Sequence, residues 1–386
     1  MPVRTFNERE IELLHEVLAS GRLSSLAGGT FVPRFEAAFA QAVGARHAVA
    51  MNAAMSVLHA AVAAAGAGAG DEVICDPVCV FGAVATMYNN AVPVFVDIDP
   101  VTMNMNPDLI EAKITERTKA LIVTHVWGLP AEMDRIVAVA HQHGLVVIED
   151  CAHALFATYK GKQVGTWGDI GSFSFQMSKQ MALGDGGMGV TDNEGLAKAL
   201  DLHGGAPTFL SVAHGLHWNY RMTEQTAAIG LVQLERARGY VQELIEIGRL
   251  YDAAVRDCAW LTVQRAPYEA QHTYHFWAAV FWGDKQGIPL DDFQRVLREE
   301  ECSVSIGYTG MPAYKHPLIH HRLGYGRGCP LDCPLYAGNQ NHYPDGLCPV
   351  AEEVIPRVVL AYTFSPQEHH QRNAEALHRA VTRLSG

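Results

Sequence analysis

The chain has 386 residues, of which 49% are hydrophobic and 18% are charged. This composition is typical of a globular protein with one large domain and one smaller domain. The formal net charge of −12, from 29 basic and 41 acidic residues, argues against a nucleic-acid-binding protein, whose contact surface would be basic.

Two further classes of protein are disfavoured. The Ala/Gly-rich run over residues 60–70 is too short to span a membrane. The first residues lack the basic and apolar segments of a secretory signal, so we expect a cytoplasmic protein with no membrane partner.

The eight cysteines are then expected to be reduced thiols. Cys329 and Cys333 are spaced C-x3-C, which is not the spacing of a zinc knuckle, and with His342 and Cys348 nearby we still predict no metal site.

The first half of the chain alternates between helical patterns and short apolar runs. Helices are predicted over residues 35–43 and 133–143, the second ending at Gly144. Strands are predicted over residues 72–74, 92–97, 120–125, 145–148, 173–175 and 188–191. Short strands separated by helices predict an α/β fold with a mainly parallel central sheet and helices on both faces.

The second half begins with a long helical pattern over residues 223–255, which we interpret as a bridge between domains. A strand (276–282), an amphipathic helix (291–300) and a helix after Ser365 and Pro366 follow. We predict a large domain over residues 1–245 and a smaller C-terminal α+β domain over residues 246–386. The irregular stretch 310–348 is expected to border the substrate site, because such long loops are usually functional.

The region around Lys179 carries the clearest chemical signal. Lys179 lies between a serine- and aromatic-rich run, 172–178, and a glycine cluster, 184–187. An apolar run ends earlier in Glu149 and Asp150. A strand that delivers a carboxylate, and a lysine near a glycine-rich turn, are what pyridoxal phosphate chemistry needs: the lysine forms a Schiff base, and the carboxylate keeps the pyridine nitrogen protonated. The alternatives are a solvated surface lysine and a helix-capping aspartate.

Seven motifs in this order resemble the DegT/DnrJ/StrS aminotransferases, the sugar-aminotransferase branch of the fold-type I pyridoxal phosphate enzymes. They lie at residues 70–74, 93–97, 125–128, 149–153, 173–179, 184–188 and 219–222. The resemblance implies a fold-type I aminotransferase with pyridoxal 5′-phosphate as cofactor. It also implies a homodimer whose subunits share their active sites.

The resemblance assigns a role to each matching residue. Lys179 would bind the cofactor and move the substrate proton, and Asp150 would pair with the pyridinium nitrogen. His153 would touch the phenolic oxygen of the cofactor, unless it is a structural histidine. Ser174 would bind the phosphate, and Phe81 would stack on the ring unless it is an ordinary core aromatic.

The phosphate-binding segment departs from the family pattern. Ala53 and Ala54 stand where the family usually has Gly-Thr at the start of a helix. The backbone N–H groups of that helix can still bind phosphate, but the threonine hydroxyl is missing, and Ser56 or Asn52 is a candidate replacement. Asn219 matches the residue that reaches the phosphate in the neighbouring subunit.

The substrate side is marked by polar aromatic residues in and near the irregular stretch. Tyr308, His316, His342 and Tyr343 are candidates, because such side chains grip polyhydroxylated rings by stacking and hydrogen bonding. A His-rich surface loop is the alternative explanation.

The resemblance implies transfer of an amino group from glutamine or glutamate to a keto-sugar or keto-cyclitol. The product would be an amino sugar or aminocyclitol for antibiotic or glycan biosynthesis, and the Ala- and Gly-rich composition favours the antibiotic pathway. One alternative is a lyase or aromatising synthase on the same scaffold, which shares the Ala-His-Ala motif of residues 152–154. Another is a non-catalytic relative, favoured only by Ala53 and Ala54.

Overall fold

The computed structural model describes residues 5–205, 216–326, 328–336 and 343–385. Within these ranges the α-helices are α1 (Glu8–Ser20), α2 (Phe31–Val43), α3 (Ala54–Ala64), α4 (Val80–Tyr88), α5 (Met133–Gln142), α6 (Glu194–Gly204), α7 (Glu224–Ala254), α8 (Leu290–Glu299), α9 (Pro317–His320), α10 (Pro349–Val354) and α11 (Gln367–Ser385). The strands are β1 (His47–Met51), β2 (Glu72–Cys75), β3 (Val92–Phe95), β4 (Thr118–Thr124), β5 (Val146–Asp150), β6 (Thr158–Tyr159), β7 (Lys162–Gln163), β8 (Ile170–Ser174), β9 (Gly187–Thr191), β10 (Leu261–Val263), β11 (Ala270–Gln271), β12 (Phe276–Phe281), β13 (Ser305–Ile306) and β14 (Val358–Tyr362).

The central sheet has seven strands in the order β1-β9-β8-β5-β4-β2-β3. The strands from β8 to β3 pair in parallel, whereas β9 is antiparallel to both of its neighbours. Every residue of β2 and β3 is buried, and apart from Glu72 both strands are apolar runs rather than alternating patterns, as expected for strands covered on both faces. The predicted α/β fold with a mainly parallel central sheet is confirmed.

The sheet brings the ends of several strands to one edge. The register pairs Thr124 of β4 with Asp150 of β5, and Asp150 with Ser172 of β8. Helix α3 begins just after β1, and α4 begins just after β2, at this same edge. Chain segments that are distant in sequence therefore converge where the parallel strands end.

The C-terminal part is built on α7 and a second sheet. Helix α7 has 31 residues, begins after the N-cap Thr223, and packs against α1, α2 and α11. The second sheet is antiparallel, with the strand order β10-β12-β14-β13. Trp260, Phe281 and Phe293 pack edge to face or in parallel between this sheet and α8. The domain boundary between residues 245 and 246 stays a prediction.

Among the helices of the residues described above, none is both long enough and apolar enough to cross a membrane.

Candidate active site

A cavity of about 310 Å³ lies at the edge where β5 and β8 end and α3 and α4 begin. Open α/β sheets bind their ligands at this edge. The cavity wall includes most of the predicted cofactor residues, namely Ala53, Ala54, Phe81, Asp150, Ser174 and Lys179. The structure thus gathers into one place side chains that the sequence spreads over more than a hundred residues.

Lys179 is held in a short loop that follows β8. Its backbone N–H donates to the carbonyl of Gln176 at 2.8 Å, and Leu183 N–H donates to the carbonyl of Phe175 at 2.8 Å. The side chain is half-buried, and burial lowers the pKa of its amine, while the nearby Asp150 carboxylate opposes that shift. A larger neutral fraction makes the amine a better nucleophile.

Asp150 is the last residue of β5 and is 2% exposed. Its Oδ1 accepts the N–H of Ala152 at 3.0 Å. Burial raises the pKa of this carboxyl, while the hydrogen bond from Ala152 and the positive charge of Lys179 oppose that shift. A buried carboxylate with one backbone hydrogen bond needs a cationic partner, and a protonated ring nitrogen in the cavity would supply one.

A second buried carboxylate, Asp76, orders the segment between β2 and α4. Its Oδ1 accepts the N–H groups of Val78 and Cys79 at 2.9 and 2.8 Å, and its Oδ2 accepts the Thr124 hydroxyl at 2.6 Å. Burial raises its pKa to about 6. These bonds fix the start of α4, where Phe81 lies on the cavity wall with 48% of its surface exposed. An aromatic face this open suits a stacked ring better than a packed core.

The start of α3 forms the end of the cavity where we predict phosphate binding. The N-cap Ala53 provides no side-chain cap, so the first N–H groups of α3 are left for a ligand. Ser174 lines the same cavity. Ser56 donates to Oδ1 of Asn52 at 2.6 Å, so these two candidates for the missing threonine hydroxyl are bonded to each other.

His153 is absent from the cavity wall and is 7% exposed, with its ring stacked on His275 at 4.2 Å and 11° between the ring planes. Burial, and then the charge of Lys179, hold its pKa well below the usual value, so the ring is neutral. Its Nδ1 is buried and has no hydrogen-bond partner among the described residues. An unpaired buried ring nitrogen is costly, and it fits a residue that contacts a bound cofactor.

Glu149, the neighbour of Asp150, points into the protein and serves the fold. Ala131 N–H donates to Nδ1 of His125 at 3.1 Å, so the ring proton sits on Nε2 and is donated to Oε2 of Glu149 at 2.9 Å. Within the described ranges, these two residues and Cys151 are the one group with metal-ligand proximity. Burial raises the pKa of the Cys151 thiol well above its usual value.

Glu149→Gln should destabilise the protein by about 2–4 kcal/mol, because the carboxylate also accepts the N–H groups of Gly165 and Gly168 at 2.8 and 2.6 Å. In the variant, the amide nitrogen of glutamine would replace one carboxylate oxygen, and this donor would face at least one of the N–H donors. Urea unfolding measures the change. Glu116→Gln, at an exposed position, is the control and should change stability by less than about 0.5 kcal/mol. Equal effects of the two substitutions would contradict the role of the cluster.

The predicted substrate residues do not all reach the cavity. Tyr343 is 8% exposed, donates to the carbonyl of Pro93 at 2.8 Å and packs on Phe95, so its observed contacts are those of the core. His316 is exposed and caps α9 by accepting the N–H of Leu318 at 3.3 Å. Tyr308 packs edge to face on Trp127 at 5.2 Å, and is absent from the cavity wall.

Two predicted residues fall elsewhere. His342 lies outside the described residues. Asn219 is exposed, in the segment between α6 and α7, and is absent from the wall of this chain's own cavity. The role predicted for it, at the active site of a second subunit, stays a prediction.

The cavity wall also contains polar residues that the sequence reasoning missed: Gln176, Ser178 and Asp185. The motifs around Lys179 already contained them, three and one residues before it and six residues after it. Their short spacing from the lysine was the available signal.

Comparisons with known proteins agree with this geometry. Residues 4–336 match the DegT/DnrJ/EryC1/StrS aminotransferase family. The spore coat polysaccharide biosynthesis protein SpsC of Bacillus subtilis is 36% identical over 332 residues, which cover 82% of this chain and 84% of that protein. The putative L-glutamine:3-amino-2,3-dideoxy-scyllo-inosose aminotransferase of Streptoalloteichus tenebrarius is 42% identical over 253 residues, covering 61% of this chain and 60% of that protein.

A solved structure extends the match to the whole fold. The aminotransferase from Psychrobacter cryohalolentis superposes with a TM-score of 0.83 and 26% identity, covering 100% of both chains. Pyridoxal phosphate fits a site that combines the half-buried amine of Lys179, the buried carboxylate of Asp150 and the uncapped start of α3. Members of the matching family depend on the same cofactor. The chain therefore belongs to the DegT/DnrJ/EryC1/StrS aminotransferase family and is a fold-type I, pyridoxal-phosphate-dependent aminotransferase.

Proposed function

We propose that this aminotransferase moves an amino group from L-glutamine or L-glutamate to the ketone of a sugar or cyclitol, as a cytoplasmic homodimer in amino sugar or aminocyclitol biosynthesis. The observation that carries the proposal is the single cavity that combines Lys179, Asp150 and the start of α3. Pyridoxal phosphate, when bound, supplies a ring that withdraws electrons from the carbon bearing the transferred nitrogen.

Each residue then has a task set by its place in the cavity. Lys179 Nζ would hold the cofactor covalently and would remove and return the proton on the substrate carbon. Asp150 would keep the ring nitrogen protonated, and Phe81 would stack on the ring. Ser174 and the first N–H groups of α3 hold the phosphate. His153 is absent from the cavity wall, and its unpaired Nδ1 is the atom proposed to reach the ring substituents.

Gly187→Ala tests the phosphate end of the cavity. A Cβ at this position would lie 2.5 Å from the carbonyl carbon of Ala53 and 2.6 Å from the nitrogen of Ala54, so the start of α3 would be displaced. We expect cofactor affinity to fall about 10-fold or more, measured by fluorescence titration of the apoprotein. Gly239→Ala in α7, where nothing lies within 4 Å of the new methyl group, should leave affinity unchanged.

Homodimer formation is proposed because of Asn219. This residue is exposed in the single chain and matches the family residue that reaches the partner's phosphate. Sedimentation velocity of the loaded protein, meaning the protein with bound pyridoxal phosphate, would measure its mass. A monomer with full turnover would rule out a shared active site.

The proposed substrates rest on the names of the chain's relatives. The relative from Streptoalloteichus tenebrarius is named for L-glutamine and a keto-cyclitol, and the one from Bacillus subtilis for polysaccharide biosynthesis. The acceptor is therefore proposed to be a keto-sugar or keto-cyclitol, and an antibiotic pathway is its proposed setting.

The first test is an absorption spectrum of the loaded protein before and after adding L-glutamine or L-glutamate. Loss of the visible band with either donor would support the first half of the transfer. Keto-sugars and keto-cyclitols would then be added, and the aminated product identified by mass spectrometry. A band that neither donor changes would refute the proposed donors, and an aromatic product absorbing in the near ultraviolet would indicate the synthase alternative.

A further inference from the structure

The wall of the cavity beside Lys179 carries two polar side chains to which the proposed cofactor contacts assign no role. Gln176 lies three residues before the lysine and Asp185 six residues after it. Both side chains line the cavity, and both residues are exposed, so they face whatever enters beside the cofactor.

The amide of Gln176 is held in one orientation. Its Oε1 accepts both the backbone N–H and the hydroxyl of Ser178, each at 2.7 Å. Since a backbone N–H can only donate, the accepting atom must be the oxygen, and Nε2 lies on the opposite side with two N–H donors. The backbone N–H of Gln176 donates to Ser174 Oγ at 3.4 Å, which connects the backbone of Gln176 to the end of the cavity where we predict phosphate binding.

Asp185 supplies the complementary acceptor. It follows Gly184, whose φ of +91° makes a turn that most other residues would strain to adopt. Gly186, the next residue, accepts the N–H of Phe175 at 2.9 Å through its carbonyl, which anchors this turn to the loop that carries Lys179. Among the described residues, no lysine, arginine or histidine nitrogen lies within salt-bridge distance of the Asp185 carboxylate.

We propose, resting on the function proposed above, that Gln176 and Asp185 form a hydroxyl-recognition pair. Gln176 Nε2 donates to the oxygen of one ring hydroxyl, and Asp185 accepts the O–H of another. A hydroxyl both donates and accepts, so a donor and an anionic acceptor on one wall match a polyhydroxylated ring. The pair offers a neutral donor and an anionic acceptor and no cationic group, so it matches hydroxyls on the acceptor ring.

The reverse half-reaction tests the pair with two amines. Loaded protein is mixed with scyllo-inosamine, which carries ring hydroxyls, or with cyclohexylamine, which carries none, and loss of the visible band is followed at several amine concentrations. We expect the wild type to react faster with scyllo-inosamine. Gln176→Ala and Asp185→Asn should each reduce the ratio of the two rates by about 10- to 100-fold, mainly by raising the scyllo-inosamine concentration needed for half-maximal rate.

One control variant and the pattern of rates separate the possible outcomes. Asp257→Asn, at an exposed position outside the cavity wall, should leave the ratio unchanged. A wild type without preference for scyllo-inosamine, or variants that keep the wild-type ratio, would overturn the pair. Variants that slow the L-glutamine half-reaction more than the scyllo-inosamine reaction would also overturn it, by assigning the pair to the amino donor. Failure of L-glutamine and L-glutamate with the wild type would refute the proposed function instead, while the ratio of amine rates still tests the pair.

Discussion

Lys179→Ala is expected to abolish the visible absorption band of the loaded protein and to lower turnover by about 1,000-fold or more. In the function we propose, Lys179 provides both the covalent attachment of the cofactor and the proton transfer at the substrate carbon. The described cavity wall contains no second lysine that could replace it. The spectrum of the purified variant with added cofactor, and the initial rate with donor and acceptor, measure the two effects.

Lys198→Ala is the matched control for this variant. Lys198 is exposed in α6 and pairs with Glu194 at 2.7 Å on the helix surface, so its loss should leave band and rate within about twofold of the wild type. A Lys179→Ala protein that keeps the band would show that another amine attaches the cofactor. One that loses the band but retains turnover within tenfold would separate attachment from proton transfer and contradict the double role.

Most of the central sheet was predictable because its strands are continuous apolar runs. The strand predicted over residues 145–148 is β5, Val146–Asp150, and the helix predicted over 133–143 is α5, Met133–Gln142. Helix α3 gave no such signal, since every residue of its middle part, 56–62, is buried. A helix that is apolar on all sides has no sequence period that would distinguish it from other apolar segments.

The candidate site was predictable where the order of the strands places its residues. Asp150 ends β5 and Lys179 lies in the loop after the neighbouring β8, so the topology alone brings them together. Tyr343 shows the limit of that reasoning, because a tyrosine that packs on Phe95 and one that faces a substrate read the same in the sequence. Gln176 was missed because its use depends on the hydrogen bond to Ser178, which only coordinates reveal.

Asp150→Asn should preserve the visible band but lower turnover by about 100-fold or more, since an amide cannot keep the ring nitrogen protonated. The intact Lys179 still attaches the cofactor, so the spectrum and the rate should separate in this variant. Turnover per mole of bound cofactor is the quantity to compare. Turnover above a tenth of the wild-type value would contradict the assigned role.

The same substitution should stabilise the apoprotein at neutral pH. Burial raises the pKa of Asp150 in the folded state, so the folded protein binds its proton more tightly than the unfolded chain does. The cost of the buried charge is therefore present at pH 7 and disappears as the pH falls below about 4, the ordinary pKa of aspartate. Urea unfolding of both apoproteins should show a stability gain for Asp150→Asn that shrinks over this range.

Asp76 provides the comparison that separates a functional carboxylate from a structural one. It is as buried as Asp150, but it accepts three hydrogen bonds from the protein, whereas Asp150 accepts one. Asp76→Asn should therefore cost about 1–2 kcal/mol of stability and far less turnover per bound cofactor than Asp150→Asn. If the two variants lost turnover equally, the carboxylate of Asp150 would have no special relation to the cofactor. We expect the two variants to change in opposite directions: Asp150→Asn should be more stable and inactive, and Asp76→Asn should be less stable and active. That result would show that the charge of Asp150 lowers the stability of the fold and is kept because the chemistry needs it.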